Sequence, residues 1–502
     1  MTSGGRVSSV LVGLDVGTTA LKGVAIDPGG SVLARAQVEY SFATPRPGWA
    51  EQDPEDWWRA AQAVLGQLSS VCGPVAGIGL SGQMHGLVAL DRADRVLAPA
   101  ILWNDQRTAE ECSEIEDTLP LPRLIALTGN RALAGFTAPK LLWLRRHEPD
   151  LWRELAHVML PKDYVRLRLC GERATDVTDA SGTLLLDVAA RRWSEEVLAA
   201  LELDPGVLPP ALESPAISGT VRLGGREVPI AAGAGDQAAG ALGVGVARPG
   251  PLSIVLGTSG VVFAATDQHV TDPRGRLHAF CHVQPSSWHV MGVMLAAGGS
   301  LRWFRDALSP GMDFPELLDG AEGWSPGVEG LTFLPYLSGE RTPHCDPSAR
   351  GAFVGLGLRH DRTALVRAVL EGVALGLRDS LDLIGELGIA APLARVSGGG
   401  TNSELWLSIL ASVLELGLER APVQEGAAFG AALLGGVAGG VFDDLDAAVA
   451  ATVRRGSVIE PVAEWVEPYR EGHRRFAALY PALRDLPGRL PGASRRDPTS
   501  GG

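Results

Sequence analysis

At 502 residues the chain is too long for one hydrophobic core, and its 46% hydrophobic and 20% charged content is that of a globular protein with two domains. A formal net charge of -14 argues against nucleic acid as a partner, since phosphate backbones are held by basic patches. It leaves room for a small phosphorylated ligand, held by a metal ion and backbone N–H groups.

After a polar lead-in to about Ser8, three strand-like runs follow: Val10–Leu14, Leu21–Ile26 and Val32–Tyr40. Turn signals at Asp15-Val-Gly-Thr-Thr19 and Asp27-Pro-Gly-Gly30 predict an antiparallel meander. The run at Val10 is cut short by Asp15 and has no cleavage region, so it is not a targeting segment. Asp53 and Pro54 open a helix with Trp57, Ala61, Val64, Leu65 and Leu68 at helical spacing. Val75–Leu80 predicts a strand ending in Ser81-Gly-Gln-Met-His-Gly86, and Ala100–Trp103 a neighbouring one ending in Asn104-Asp-Gln-Arg107. The helix from about Thr108 to Leu119 has acidic faces and is expected to be solvated. From about Pro120 to Glu227 the periodicity weakens. That segment, with Phe136-Thr-Ala-Pro-Lys140 and Leu160-Pro-Lys-Asp163, reads as an elaboration of the first lobe. The order of elements predicts an α/β fold with a mixed sheet flanked by helices.

Val228–Ala232 predicts a strand leading into Gly233-Ala-Gly-Asp-Gln237, and Leu252–Leu256 another leading into Gly257-Thr-Ser-Gly260. Leu14–Ala25 can be laid beside Leu256–Ala264, each with a Gly-Thr turn between two β-like runs, which suggests an internal duplication. Leu365, Val369, Leu370, Val373 and Leu377 mark a long helix. Leu393–Val396 then predicts a strand leading into Ser397-Gly-Gly-Gly-Thr-Asn402 and a helix from about Ser403 to Leu414. The expected domains are 8–246 and 250–484, followed by a disordered tail at 485–502 rich in Pro, Gly, Ser and Arg. Cys72, Cys112, Cys170, Cys281 and Cys345 form no CxxC pair and read as reduced thiols of a cytoplasmic protein. No run reaches the roughly 18 apolar residues of a membrane span.

The glycine turns Gly17–Thr19, Gly257–Gly260 and Gly398–Thr401 each follow a strand-like run. Glycine lets the backbone approach phosphate oxygens, to which hydroxyls and N–H groups then donate. One such turn alone is ordinarily just a tight turn. Three at strand ends point to a phosphate site split between two lobes, with Thr18, Thr19, Gly257 and Thr258 beside the phosphates. The P-loop sequence GxxxxGK[ST] is absent. Gly233–Ala238 fits the GxGxxA dinucleotide fingerprint, but Asp236 would turn a negative charge on the pyrophosphate, and Gly257-Thr258 offers no carboxylate to a ribose. Asp236 instead suits the general base of an in-line phosphoryl transfer, its plainer alternative being a helix cap. Asp15, in a similar strand-end turn, suits Mg²⁺ alongside phosphates, with a turn aspartate as the alternative. The side of its strand on which Lys22 lies is open.

Gln83-Met-His-Gly86 offers an amide and an imidazole to several hydroxyls, although a lone histidine is more often structural. Trp103-Asn104-Asp105 is expected to converge on the same cleft, with Trp103 as an apolar wall for a sugar. Glu340–Asp346 lacks zinc spacing and reads as an ordered loop. Trp57-Trp58 reads as core packing.

Over about residues 10 to 480 the chain resembles the FGGY family of carbohydrate kinases. The matching runs are Asp15-Val-Gly-Thr-Thr19, Gly82-Gln-Met-His-Gly86, Ile101-Leu-Trp-Asn-Asp105, Leu160-Pro-Lys-Asp-Tyr164 and Phe333-Leu-Pro-Tyr-Leu-Ser-Gly-Glu-Arg-Thr-Pro-His344. The second and the last are the discriminating ones. The resemblance implies two actin-like (ribonuclease-H-like) domains with ATP and sugar in the cleft between them, and transfer of the γ-phosphate to the 5-hydroxyl of D-xylulose. By position it implies Asp236 as proton acceptor, Met84 and His85 against the sugar, and Gly257, Thr258, Gly399 and Gly400 at the nucleotide. Gln237 stands where the family often has Asn, and Thr401-Asn402 where Ala-Arg is common. Gln237 is accordingly expected to alter sugar contacts and Asn402 those to adenosine. Another pentulose or pentitol as substrate, or an actin-like ATPase acting on a protein partner, are the alternative readings. The expected partners are a small sugar and at most a second copy of the chain in a homodimer, with neither nucleic acid nor membrane.

Overall fold

A computed structural model describes residues 9–71, 73–421 and 426–484. The expected lead-in to Ser8 and the tail at 485–502 lie outside the described residues.

The meander forms from β1 (Val10–Val16), β2 (Ala20–Ile26) and β3 (Val32–Glu39), followed by helix α1 (Pro54–Val71) and strand β4 (Val75–Gly82). Strand β1 is apolar along nearly its whole length because helices cover both faces of the sheet. Trp57, Ala61, Val64 and Leu68 of α1 are buried against one face. A long, mostly helical excursion then includes α2 (Pro161–Cys170) and α3 (Val177–Ser181). The chain rejoins the sheet as β5 (Ile217–Leu223) and β6 (Arg226–Ala231), in the order β5-β6-β4-β1-β2-β3. A two-residue strand, Ala234–Gly235, pairs with the end of β4, and helix α4 (Asp236–Gly243) starts there.

The second sheet is built from β7 (Leu252–Leu256), β8 (Gly260–Thr266), β9 (His278–Cys281), β10 (Trp288–Met294), β11 (Ala394–Ser397), β12 (Leu418–Arg420) and β13 (Val458–Ile459). Its order is β9-β10-β8-β7-β11-β12-β13. Strand for strand, β10-β8-β7-β11-β12-β13 repeats β3-β2-β1-β4-β6-β5 in order and in every parallel or antiparallel pairing. The duplication suggested by two Gly-Thr turns thus extends to the sheets. Helices α5 (Gly298–Leu308), α6 (Arg362–Glu386) and α7 (Glu404–Leu414) belong to this half.

Helix α8 (Gly426–Ala438) lies late in the sequence yet packs on the first sheet and on α4. The approach is backbone to backbone: a Cβ on Gly79 would stand 1.7 Å from the Ala431 carbonyl oxygen, and one on Gly430 1.9 Å from that of Ala239. Glycine is the one residue that fits at such contacts.

Two local expectations change. Only Ala100–Ile101 is extended, and it pairs with Glu51–Gln52 outside the main sheet, because the chain turns at Trp103-Asn104, where the Asp105 N–H donates to the Leu102 carbonyl oxygen at 3.2 Å. Leu160–Asp163, in the weakly periodic segment, leads into α2, with Pro161 at its first turn. Its periodicity is weak because Lys162, Asp163 and Arg166 are themselves fully buried. The helix Ala109–Thr118 is only partly solvated: Glu111 and Ile115 are buried, and Glu111 pairs with Arg146 at 2.6 Å. Among the described residues no helix is long and apolar enough to cross a membrane.

Candidate active site

Three strands of the first sheet end at one level. Asp15 on β1 is paired with Ser81 on β4, Ser81 with Ala234, and Gly82 with Gly235. Asp236 is the next residue and begins α4. Asp15 accepts from the Ser81 hydroxyl at 3.1 Å. Burial raises the Asp15 pKa, while Ser81 and the charge of Lys22 oppose the rise. Burial, and then the negative charge of Asp15, push Asp236 up from 3.8 to about 7, with the backbone N–H and side chain of half-buried Gln237 working against that shift. A carboxylate poised near neutrality is well matched to taking a proton from a hydroxyl.

The loop after β4 supplies the groups suited to a polyhydroxylated ligand. His85 Nδ1–H donates to the Gly182 carbonyl oxygen at 2.5 Å, and its ring stacks on Phe136 with centroids 4.4 Å apart. Burial drives its pKa down to about 3. The imidazole is therefore neutral, and the carbonyl on Nδ1 leaves Nε2 as a hydrogen-bond acceptor. His85 sits at a backbone φ of 70°, a left-handed conformation uncommon for residues other than glycine. The His85 carbonyl oxygen accepts from Lys140 Nζ (2.8 Å) and the Thr137 hydroxyl (3.1 Å), which fixes that geometry. Met84 is wedged between two glycines: a Cβ on Gly235 would come within 2.8 Å of its side chain, and one on Gly182 within 3.0 Å.

Thr18 bridges the Gly-Thr turn to this loop, its hydroxyl donating to Gln83 Oε1 (3.2 Å) and accepting from Trp103 Nε1 (3.0 Å). Asn104 Oδ1 is buried and has no protein partner among the described residues, so it is an unsatisfied acceptor. Asp105 does not join them. It is fully buried, accepting from the Ala50 N–H at 2.7 Å and pairing with Arg107 at 2.7 Å, and its role is structural.

In the second lobe, Gly257-Thr258 after β7 and Gly398–Gly400 after β11 line a cavity of about 1190 Å³, together with Asn402. The start of α5 closes one side, where the N–H groups of Gly298 and Ala297 donate to the carbonyl oxygens of Gly257 (2.7 Å) and Thr258 (2.9 Å). Lys22, the one exposed residue of β2, lines the same cavity. Thr18 and Thr19 are not among the lining residues. Arg302, Gly298 and Trp406 are, and the sequence reading does not single them out. The signal available for Gly298 and Arg302 is the pair Gly298-Gly299 opening an amphipathic helix. The volume suits a nucleotide.

Among the described residues no three His, Cys, Asp or Glu side chains form a metal cage. A single carboxylate such as that of Asp15 is a donor that Mg²⁺ accepts when phosphates and water complete its shell.

The descriptions of known proteins agree with this arrangement. The N-terminal domain of the FGGY family of carbohydrate kinases matches residues 10–243, and the C-terminal domain of that family matches residues 252–439. The chain is 43% identical to the xylulose kinase of Escherichia coli (strain K12) over 437 residues, which are 85% of this chain and 90% of that one. The crystal structure of xylulose kinase from Rhodospirillum rubrum superposes with a TM-score of 0.87 at 33% identity, over 95% of this chain and 99% of that one. A gluconate kinase from Lactobacillus acidophilus gives 0.89 at 26% identity, over the same shares.

Proposed function

The chain belongs to the FGGY family of carbohydrate kinases, and we propose that it transfers the γ-phosphate of ATP to the 5-hydroxyl of D-xylulose with Asp236 as general base. It is a sugar kinase with a two-domain, actin-like α/β fold. The observation that carries the mechanistic reading is the Asp236 carboxyl, raised to about 7 beside Asp15 at the strand ends. The names of its relatives support D-xylulose as the sugar.

In this reading the ketose lies in the first lobe, taken as residues 8–246. The neutral His85 Nε2 and the Asn104 Oδ1 accept from its hydroxyls, Met84 and Trp103 wall it, and Gln237 adjusts the contacts beside Asp236. ATP occupies the cavity of the second lobe, taken as 250–484, with its phosphates against Gly257 and Thr258 and its adenosine toward Gly399, Gly400 and Asn402. Thr18 and Thr19 face the transferred phosphate from the first lobe. Asp15 would hold Mg²⁺, which when bound offsets phosphate charge. Asp236 orients the 5-hydroxyl and takes its proton as the oxygen attacks in line. Closure of the lobes excludes water, a smaller competing nucleophile. Free thiols at Cys112, Cys170, Cys281 and Cys345 support a reducing, cytoplasmic setting.

A positioned base contributes on the order of 10² to 10⁴ in rate. Asp236→Asn is expected to lose that much turnover while still binding ketose and nucleotide in calorimetric titrations. Near-normal turnover in the variant would contradict the assignment.

A further inference from the structure

The Leu160–Tyr164 run and the residues after it contain a cluster of charge that the reaction does not use. Lys162 Nζ pairs with Asp163 (2.6 Å), Asp176 (2.8 Å) and Asp179 (3.0 Å), and Arg166 pairs with Asp163 (2.6 Å). All five side chains are fully buried. Buried ion networks are commonly no more stable than the apolar packing that could replace them, so the reason for this one is sought in the geometry it imposes.

That geometry converges on α3 and its two ends. At the first end, the Thr178 hydroxyl donates to Asp176 Oδ1 (2.5 Å) and accepts the N–H of Gly235 (2.9 Å), the residue before Asp236. Arg166 donates to the carbonyl oxygen of Ala232, on the other side of the same glycine turn. At the second end, the Gly182 carbonyl receives the His85 imidazole. Gly182 has no space for a side chain, since a Cβ would stand 2.7 Å from His85 Nδ1. The Ser181 hydroxyl also accepts the N–H of Cys281 on β9, at 3.1 Å, so the segment touches the second lobe.

We propose that Asp176–Gly182, held by the Lys162 cluster, is the positioning element of the active site: Thr178 sets the place of Asp236 and Gly182 sets that of His85. The proposal rests on the reading of Asp236 as base and His85 as sugar contact. It goes beyond that reading by giving the two ends separable effects. The first end governs the chemical step and the second governs ketose binding.

The test is steady-state kinetics with D-xylulose and MgATP on four variants, each first checked for a cooperative melt. Thr178→Val is expected to lower kcat by about 10- to 100-fold, the loss typical of an angstrom-scale misplacement, with the ketose KM within about 3-fold. Thr178→Ser, which keeps the hydroxyl, should return kcat to within about 3-fold of wild type. Gly182→Ala should raise the ketose KM by about 10-fold or more and leave the ATP KM unchanged. Asp236→Asn is the control on the underlying reading. A Thr178→Val enzyme with wild-type kcat, beside an inactive Asp236→Asn, overturns the positioning element and leaves the base. An active Asp236→Asn overturns the base itself. Equal losses in kcat and in both KM values from Thr178→Val and Gly182→Ala indicate a general structural role and also overturn the proposal. Should Thr178→Val fail to fold, Gly182→Ala decides through its KM split.

Discussion

Asp236→Asn should stabilise the protein while it disables the enzyme. In the folded chain the carboxyl keeps its proton until about pH 7, through burial first and then through the charge of Asp15, while its ordinary value is 3.8. Between those two values folding takes up a proton, so the unfolded state binds fewer protons than the folded one. The stability linked to this group is therefore fully present below the lower value and is lost as pH rises through the upper one. At 1.36 kcal/mol per pKa unit the loss at high pH is about 4 kcal/mol at most, and sharing of the shift with Asp15 brings it to about 1–3 kcal/mol. Asparagine carries no charge to desolvate. Urea unfolding of wild type and variant at about pH 8, 6 and 4.5 should show the variant more stable by that amount at the highest pH, with the gap narrowing toward the lowest. A gap independent of pH, or no gap, would refute the raised pKa and with it the poised base. Loss of activity with gain of stability is the usual mark of a group held for chemistry.

Three other outcomes follow from the geometry. Gly399 faces open space, with nothing within 4 Å of an added Cβ, so Gly399→Val should fold normally yet raise the ATP KM about 10-fold by filling the cavity; an unchanged KM would move the nucleotide elsewhere. Burial pushes the His85 imidazole down to about 3, so the ketose KM should show no inflection from it across neutral pH. An inflection abolished by His85→Asn would contradict the neutral ring. Gly79→Ala would put its Cβ 1.7 Å from the Ala431 carbonyl oxygen, and urea unfolding should show a loss of more than about 2 kcal/mol from overpacking between the first sheet and α8.

Much of the fold could be read because its signals are local. The meander announces itself by apolar runs broken at Asp15–Thr19 and Asp27–Gly30, and the glycine turns mark the carboxyl ends of β1, β7 and β11. Where both faces of an element are buried, that method has nothing to work with. Strand β2 is buried along most of its length, so alternation could not assign a side to Lys22. Helix α2 carries Lys162, Asp163 and Arg166 inward, against the expectation that charges face water, and its helical periodicity is weak for that reason. The small residues of α8 give no stripe, and its partner sheet betrays itself only through Gly13, Gly77 and Gly79, which open the strands to close approach. At the site, Asp236, His85 and the glycine loops could be named from their turns. The role of Asp105 could not, because its partners Ala50 and Arg107 are a matter of tertiary contact. Nor could the partition of Thr18, whose hydroxyl is engaged by Gln83 and Trp103 and lies outside the nucleotide cavity.

Phosphorylation of D-xylulose on its 5-hydroxyl is the activity proposed for this chain. The most direct measurement is ADP release from MgATP, followed with D-xylulose, D-ribulose, L-xylulose and D-arabinitol in turn, with the product of the best substrate examined by phosphorus and carbon NMR. The highest kcat/KM is expected with D-xylulose, and a phosphate ester on its fifth carbon. A higher kcat/KM with another sugar, or ADP release that no sugar stimulates, would contradict it.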